Sequence, residues 1–285
     1  MRNLLRSLSV FAGLVAILSF SFNARAQTAK PAAAGPKCGP AQPGTIYQKA
    51  CDDPTPPGPA PKRDISGAWS GPTDWLIQNV PAMTPEGEQR FKLSKPEGKF
   101  TLSETNDPLA TCDPLGFPRN ILNEVRGVMF VPLPDRMLVL HQYQKIWREI
   151  WTDGRALPKD EDIDTRDGVS STYYGFSVGH WDGDYSFVAD TVGLDDRTWL
   201  DRGAHPHSDK VRVEERYTRV DQRTLTQTVT ITDPEIYTKP FEELSNVTYK
   251  LNPTKSLEEQ MCIPSDGIAY MNTIGKPAGN GAAGK

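Results

Sequence analysis

The sequence predicts an all-β fold, an antiparallel and mostly hairpin-connected β-barrel of about eight strands with one short helix. Three observations lead there. Apolar and polar residues alternate along most of the chain from Gly67 to Leu251, the period of a half-buried strand. Turn residues punctuate these runs at short intervals, as at Asp182-Gly183 and Asp221-Gln222-Arg223. Finally, so many sequential strands leave exposed edges unless the sheet closes or stacks, and closure removes them altogether. A sandwich is the second choice.

In chain order, Gly67-Ala68-Trp69 opens the first strand. A helix is expected from Pro85 to about Leu93, because Thr84 is an N-cap, Pro85 occupies the first helical position, and Glu86 and Glu88 face the positive end of the dipole. A strand follows at Phe100–Glu104. Val128–Val131 and Met137–Trp151 read as a hairpin about Pro132-Leu133-Pro134-Asp135. On its second arm Val139, His141, Tyr143, Trp147 and Trp151 are assigned to one face, and Leu138, Leu140, Ile146, Arg148 and Ile150 to the other. Tyr174–Trp181 and Asp184–Val192 flank Asp182-Gly183. A two-residue loop there sets His180 opposite Tyr185, on the core face with Phe176, Val178, Phe187 and Ala189. Val211–Val220 pairs with Thr224–Thr232, in which Leu225, Val229 and Ile231 alternate with threonines. Leu244–Leu251 is the last strand.

The ends of the chain read differently. Arg2 and Arg6 precede an apolar run from Leu8 to Phe22, which closes on Ala24-Arg25-Ala26, the layout of a secretory signal peptide over residues 1–26. The run is too short for the ~20 residues that span a bilayer, so no membrane insertion is expected after cleavage. Residues 27–63 form a Pro/Ala-rich flexible arm, 64–270 a single barrel domain and 271–285 a disordered tail. Removing the leader leaves 29 basic and 36 acidic residues, a net charge of −7. That excludes the basic stripe of a nucleic-acid partner. The expected location is the periplasm or the outside of the cell. There, four cysteines form disulfides. Of three possible connectivities, proximity favours Cys38–Cys51, leaving Cys112–Cys262.

Two resemblances attach to particular residues. Ile65-Ser66-Gly67-Ala68-Trp69 resembles the Gly-x-Trp signature of lipocalin-like barrels, whose Trp packs across the closed end. Asn106-Asp107-Pro108, Cys112-Asp113-Pro114-Leu115-Gly116-Phe117-Pro118-Arg119, Thr152-Asp153-Gly154-Arg155, Gly179-His180-Trp181-Asp182-Gly183-Asp184, Pro206-His207-Ser208, Glu215-Arg216-Tyr217 and Thr232-Asp233-Pro234 look like a functionally uncharacterised family of secreted bacterial proteins. That second resemblance implies a secreted β-rich domain and carries no catalytic residues with it.

Three functions remain open. The first is binding of a small, mainly apolar ligand inside the barrel. His180, Tyr185 and an arginine would fix its polar end, and His141, Arg148, Arg155, Trp181 and Trp199 would line it. The second is lyase, isomerase or hydrolase chemistry at the barrel mouth. His207 would act there with Asp201 or Asp190 as an acid–base pair. This reading rests on the 17 residues from Gly193 to Asp209, since loops of that length are usually functional. The third is a structural or protein-binding envelope module, expected to carry an exposed apolar patch. His205-x-His207 lacks a diagnostic metal spacing, and no metal or other cofactor is expected. No Gly-x-Ser-x-Gly elbow occurs. In every reading, the histidines and arginines have an alternative as braces that bond neighbouring carbonyls and acids.

Overall fold

In a computed structural model of the chain, nine strands close into a barrel in which each is hydrogen-bonded to its neighbours in sequence. The structure describes residues 56–273, apart from 72–76, 78, 97–98, 101–103, 123–126, 160–162, 164–171, 253–256 and 258. The strands are β1 (Gly67–Ser70), β2 (Gly127–Pro132), β3 (Arg136–His141), β4 (Trp147–Trp151) and β5 (Phe176–Asp182). The remainder are β6 (Ser186–Val192), β7 (Arg212–Arg219), β8 (Thr224–Thr232) and β9 (Phe241–Leu251). Eight of the nine junctions are antiparallel; β4 and β5 run parallel and pair only at Ile150–Ser177 and Trp151–Val178. The short helices are α1 (Pro85–Leu93), α2 (Pro108–Thr111), α3 (Arg119–Leu122) and α4 (Pro264–Thr273). The barrel reading holds, with nine strands and four helices among the described residues for the expected eight and one.

Local chemistry explains the elements. Thr84 caps α1 as expected, its hydroxyl accepting from the Gly87 amide, with Glu86 and Glu88 in the first turn and Arg90 and Lys92 in the last. In β8, inward Leu225, Gln227, Val229 and Ile231 alternate strictly with half-buried threonines. β7 follows the same period, so its buried set is Val213, Glu215, Tyr217 and Arg219. Two ionisable side chains thus enter the interior with the apolar ones.

Three expectations are corrected. First, Met137–Trp151 is two strands, β3 and β4. The turn between them carries Gln144 and Lys145 at φ 60° and 52°, and it resets the phase of the alternation. His141 and Val139 still face inward, but so do Arg148 and Ile150, while Trp147 is 66% exposed.

Second, the β5–β6 turn has three residues, because Asp182 pairs with Ser186 and Trp181 with Phe187. Gly183 supplies the left-handed conformation at φ 72° that such a loop needs. One extra residue exchanges the two faces of β5. Trp181 therefore packs inward, edge-on to Phe187 at 5.4 Å, and His180 and Tyr185 are exposed. Neither can anchor a ligand inside.

Third, the last strand begins at Phe241 and not at Leu244, and it is bulged where Val229 pairs with Leu244 and Thr230 with Glu242. The residue between them, Glu243, is buried beside Leu244, the kind of redirection a bulge produces.

The expected strand at 100–104 and the proposed Cys38–Cys51 pair fall largely or wholly outside the described residues, as does the signal segment. The end of the expected arm is tied down: Gly58 and Gln222 exchange hydrogen bonds, and Lys62 pairs with Asp184 at 2.7 Å. Cys112 and Cys262 are disulfide-bonded, joining positions 150 residues apart. α4 runs to Thr273.

The two barrel ends differ. At the base, tight turns join β2–β3, β5–β6 and β7–β8. Trp69 is fully buried there, its Nε1 donating to the Ile65 carbonyl at 3.0 Å. The Arg219 guanidinium lies 4.5 Å over the Trp69 ring and donates to the Asp64, Asp221 and Gln222 carbonyls. Trp69 thus packs into this end of the barrel beneath Arg219. At the mouth, the described parts of the long connections gather, those between β1 and β2, β6 and β7, and β8 and β9.

Candidate functional site

The mouth is built in layers. Innermost is a polar network on the barrel wall. Arg148 of β4 donates to both carboxylate oxygens of Glu215 on β7 at 3.3 and 2.9 Å, and to the hydroxyls of Ser177 and Thr191, both at 3.1 Å. Both ionic side chains are buried. Glu215 also accepts from the Tyr217 hydroxyl at 2.5 Å. Gln227 donates to Tyr217 and accepts from Tyr249, at 2.8 and 2.7 Å. The carboxylate therefore keeps several donors, which is what makes a buried ion pair tolerable.

Two further groups complete this layer. His141 is held neutral: burial, and then the Arg148 charge, push its pKa down to about 3. Glu243 is held protonated: burial, and then the charges of Asp201 and Glu215, push its carboxyl well above the usual range.

The second layer covers the first. Phe117 is fully buried and lies flat under the Arg148 guanidinium, 3.5 Å from ring centroid to guanidinium carbon. Beside it Arg119 forms a buried ion pair with Asp107 at 2.8 Å and lies over the Trp199 ring. Ile77, Leu115, Ile121, Leu200 and Ile236 fill the remaining space as buried apolar residues.

The third layer is the 193–211 connection, folded inward on its own hydrogen bonds. Asp201 is buried and accepts from the His205 Nδ1 at 2.8 Å and from the Ile77 amide. Burial acts to raise the Asp201 pKa, but the contact with His205 more than offsets it and the pKa is lowered. The His205 ring stacks on Phe91 of α1, 5.4 Å away. His207 is fully buried and donates from Nδ1 to the Ser208 carbonyl at 2.9 Å, which leaves Nε2 as an acceptor 2.8 Å from the Thr198 hydroxyl, in competition for its one proton with the Asp195 carbonyl at 3.0 Å. Burial lowers the His207 pKa, keeping the ring neutral. Ser208 in turn donates through its amide and hydroxyl to Asp233 at 2.7 and 2.9 Å.

Over these layers lies an open groove in two adjoining parts of about 280 and 370 Å³, which share Asn106 and Arg197. Asp107, Pro108, Tyr173 and Thr198 line the first; Arg90, Leu93, Trp199 and Pro206 line the second. Gly116, at φ 75°, presses its backbone on Thr198: a Cβ there would stand 2.5 Å from the Thr198 hydroxyl.

The structure thus brings some of the sequence-derived candidates together and disperses the rest. Arg148 and His141 share the inner wall, and Trp199, Asp201 and His207 share the mouth. His207 is not paired with Asp201, which holds His205 instead. Asp190 points outward to Arg212 at 2.8 Å, away from His207. Arg155 lies against the Trp151 ring and pairs with Asp153, a brace near the base. The two imidazoles of His205-x-His207 are engaged separately. Among the described residues no group of three or more His, Cys, Asp or Glu could hold a metal ion. No described helix is long and apolar enough to cross a membrane.

Sequence reasoning missed Thr198, Glu215, Glu243 and Asn120. The period of β7 did contain a signal for Glu215, which falls in phase with Val213 and Tyr217; the others had none. Outside the mouth, Trp147, Met261 and Ile263 expose 66%, 49% and 50% of their surface. They lie beside the turn where Gln144 bonds Gln260 and Cys262. Compared with family models, curated proteins and solved structures, the chain finds no match in any of the three.

Proposed function

We propose that this barrel binds a small molecule at its mouth, in the groove between α1, α2 and the 193–211 connection. The observation that carries the reading is the groove itself. Its volume is that of a small-ligand cleft, and it combines aromatic and apolar walls (Tyr173, Trp199, Leu93, Pro108) with a few polar groups (Asn106, Arg197, Thr198). A mainly apolar ligand deep in the barrel is less well supported. Phe130 of β2 meets Tyr217 of β7 at 4.9 Å across the interior, and Trp181 packs inward on its strand neighbour Phe187, which leaves the mouth as the better place. The Cys112–Cys262 bridge supports an oxidising, extracytoplasmic setting, periplasmic or secreted.

A thermal-shift screen of the purified chain against a metabolite library tests this. The expected result is a saturable ligand whose affinity falls roughly tenfold in Asn106→Ala and Tyr173→Ala, the loss of one good contact. Ligands indifferent to both substitutions would refute the groove.

A second reading is favoured by the Thr198–His207 contact: acid–base catalysis on the groove ligand, with His207 as base acting through the Thr198 hydroxyl. It expects Thr198→Val to remove turnover while ligand affinity stays within about twofold. Equal loss of both would leave binding alone.

A further inference from the structure

We infer that the Cys112–Cys262 disulfide is a site of reversible thiol–disulfide exchange with a dithiol, and that opening it frees one wall of the groove while the barrel stays closed. The bridge fastens surface elements, not the core. Both cysteines are half-buried, and their chain neighbours Thr111, Asp113, Met261 and Ile263 are exposed. α2 buries none of its residues, and the described side chains of α4 are exposed. Exposed disulfides are the ones open to reduction and regulation.

The two ends of the bridge are held differently. The Cys262 amide donates to Gln144 Oε1 at 3.2 Å, and the Gln144 amide donates to the Gln260 carbonyl at 2.8 Å. Lys145 Nζ donates to the Leu257 carbonyl at 2.8 Å. Cys262 therefore stays on the β3–β4 turn with or without its sulfur bond. On the other side, residues 108–114 run between two buried anchors, Asp107 and Leu115, and none of them is itself buried. Among the described residues, the hydrogen bonds of this stretch turn back on itself. The amides of Leu109 and Ala110 bond Asp107, that of Cys112 bonds Leu109 and that of Asp113 bonds Pro108. The Thr111 hydroxyl bonds the Asp113 carboxylate. The disulfide is what ties the stretch to a distant part of the chain.

That stretch is also a wall. Pro108, Ala110, Thr111 and Pro114 line the first part of the groove, which Tyr173 and Thr198 complete. Released at Cys112, a segment with so little burial opens locally at low cost, and a ligand seated against it is held less tightly. This last step rests on the groove reading; the release of the segment does not.

The exchange needs a reductant, which the dithiol supplies. Its thiolate attacks one sulfur of the bridge, forming a mixed disulfide and expelling the other cysteine as a thiolate. The second thiolate of the dithiol then attacks the mixed disulfide, closes its own S–S bond and releases the remaining cysteine. Two electrons pass from the dithiol to the bridge, and the two protons the dithiol loses are taken up by Cys112 and Cys262. In an oxidising compartment the bridge is closed at rest, and a dithiol delivered there opens it.

The test uses the full chain carrying Cys38→Ser and Cys51→Ser, so that dithiothreitol acts on this bridge alone. Hydrogen–deuterium exchange at short labelling times is compared with the bridge closed, reduced, or removed by Cys112→Ser and Cys262→Ser. The expected result is reduction by millimolar dithiothreitol without denaturant and a native near-UV spectrum afterwards. Exchange across 108–114 rises at least tenfold while β7 and β8 stay protected, and a groove ligand loses roughly tenfold in affinity. If the background variant gives no native far-UV spectrum, the unsubstituted chain serves instead, with and without Cys112→Ser and Cys262→Ser. Finding no groove ligand at all defeats the groove reading, and the exchange pattern then decides this inference by itself. It is overturned if the bridge resists dithiothreitol in the folded chain, or if opening it leaves exchange at 108–114 unchanged. It is equally overturned if β7 and β8 label as fast as 108–114, the mark of a staple for the whole fold, or if a ligand lost in Tyr173→Ala binds as well after reduction as before.

Discussion

Replacing Arg148 with Met should be among the most damaging single changes in the molecule, and its cost is calculable from the contacts it removes. The side chain makes two bonds to Glu215 and one each to Ser177 and Thr191. Its partner carboxylate is fully buried. Methionine fills much of the same volume but leaves Glu215 with only Tyr217 and Gln227 as donors. Stranding a buried charge costs about 3–5 kcal/mol. For a domain of this size 1 kcal/mol moves the midpoint by about 2–4 °C, so Tm should fall by roughly 6–20 °C. The assay is urea unfolding followed by tryptophan fluorescence, with calorimetry in parallel. The decisive comparison is the Arg148→Met, Glu215→Leu double variant. Removing both charges should recover at least half of the loss, since an apolar pair can replace an ion pair at little cost. Arg155→Met serves as a surface control and should stay within about 1 kcal/mol. A loss at Arg148 no larger than the control, or additive losses in the double variant, would refute the account of the inner wall.

Three further outcomes follow from features already described. Glu243 holds a proton in the folded protein that the unfolded chain releases above about pH 4.5. Stability should therefore decline as pH rises, by up to about 1.4 kcal/mol per unit until Glu243 itself ionises. Glu243→Gln should flatten that alkaline limb in pH-dependent melting, and an unchanged limb would count against the buried acid. His141 titrates in the opposite sense: its folded pKa lies near 3, below the ordinary 6.5. The contribution of neutral His141 is thus complete above pH 6.5 and is lost between there and pH 3, an acid limb that His141→Gln should weaken in the same melts. Finally, reducing Cys112–Cys262 opens a closed loop of 150 residues. That should lower stability by up to about 4–5 kcal/mol in the chain-entropy account, read as a Tm difference with and without reductant; no difference would refute it.

The barrel was legible because strands leave a period of two in the sequence, and β8 shows it in its plainest form. What that period leaves open is which face is inside, and there a single turn residue decides. Gly183 at left-handed φ adds one residue to the β5–β6 turn and exchanges the positions of His180 and Trp181. Gln144 and Lys145 do the same between β3 and β4. Cysteine pairing was accessible by proximity, because only one partner remained for Cys112 once Cys38 and Cys51 were matched. The mouth was only half legible. The length of the 193–211 connection marked it, and His207 and Asp201 lie in it, but their true partners, Thr198 and His205, depend on how that connection folds back. Glu243 is inside because of a bulge, which no alternation rule anticipates.

The parallel seam has a consequence for how the molecule can be taken apart. β1–β4 and β5–β9 are each an unbroken antiparallel meander, so cutting the backbone between Trp151 and Phe176 severs no hairpin. Two fragments made separately should reassemble by complementation. Because Cys112 and Cys262 fall in different fragments, an oxidant would fasten the reunited halves covalently and a reductant would let them part.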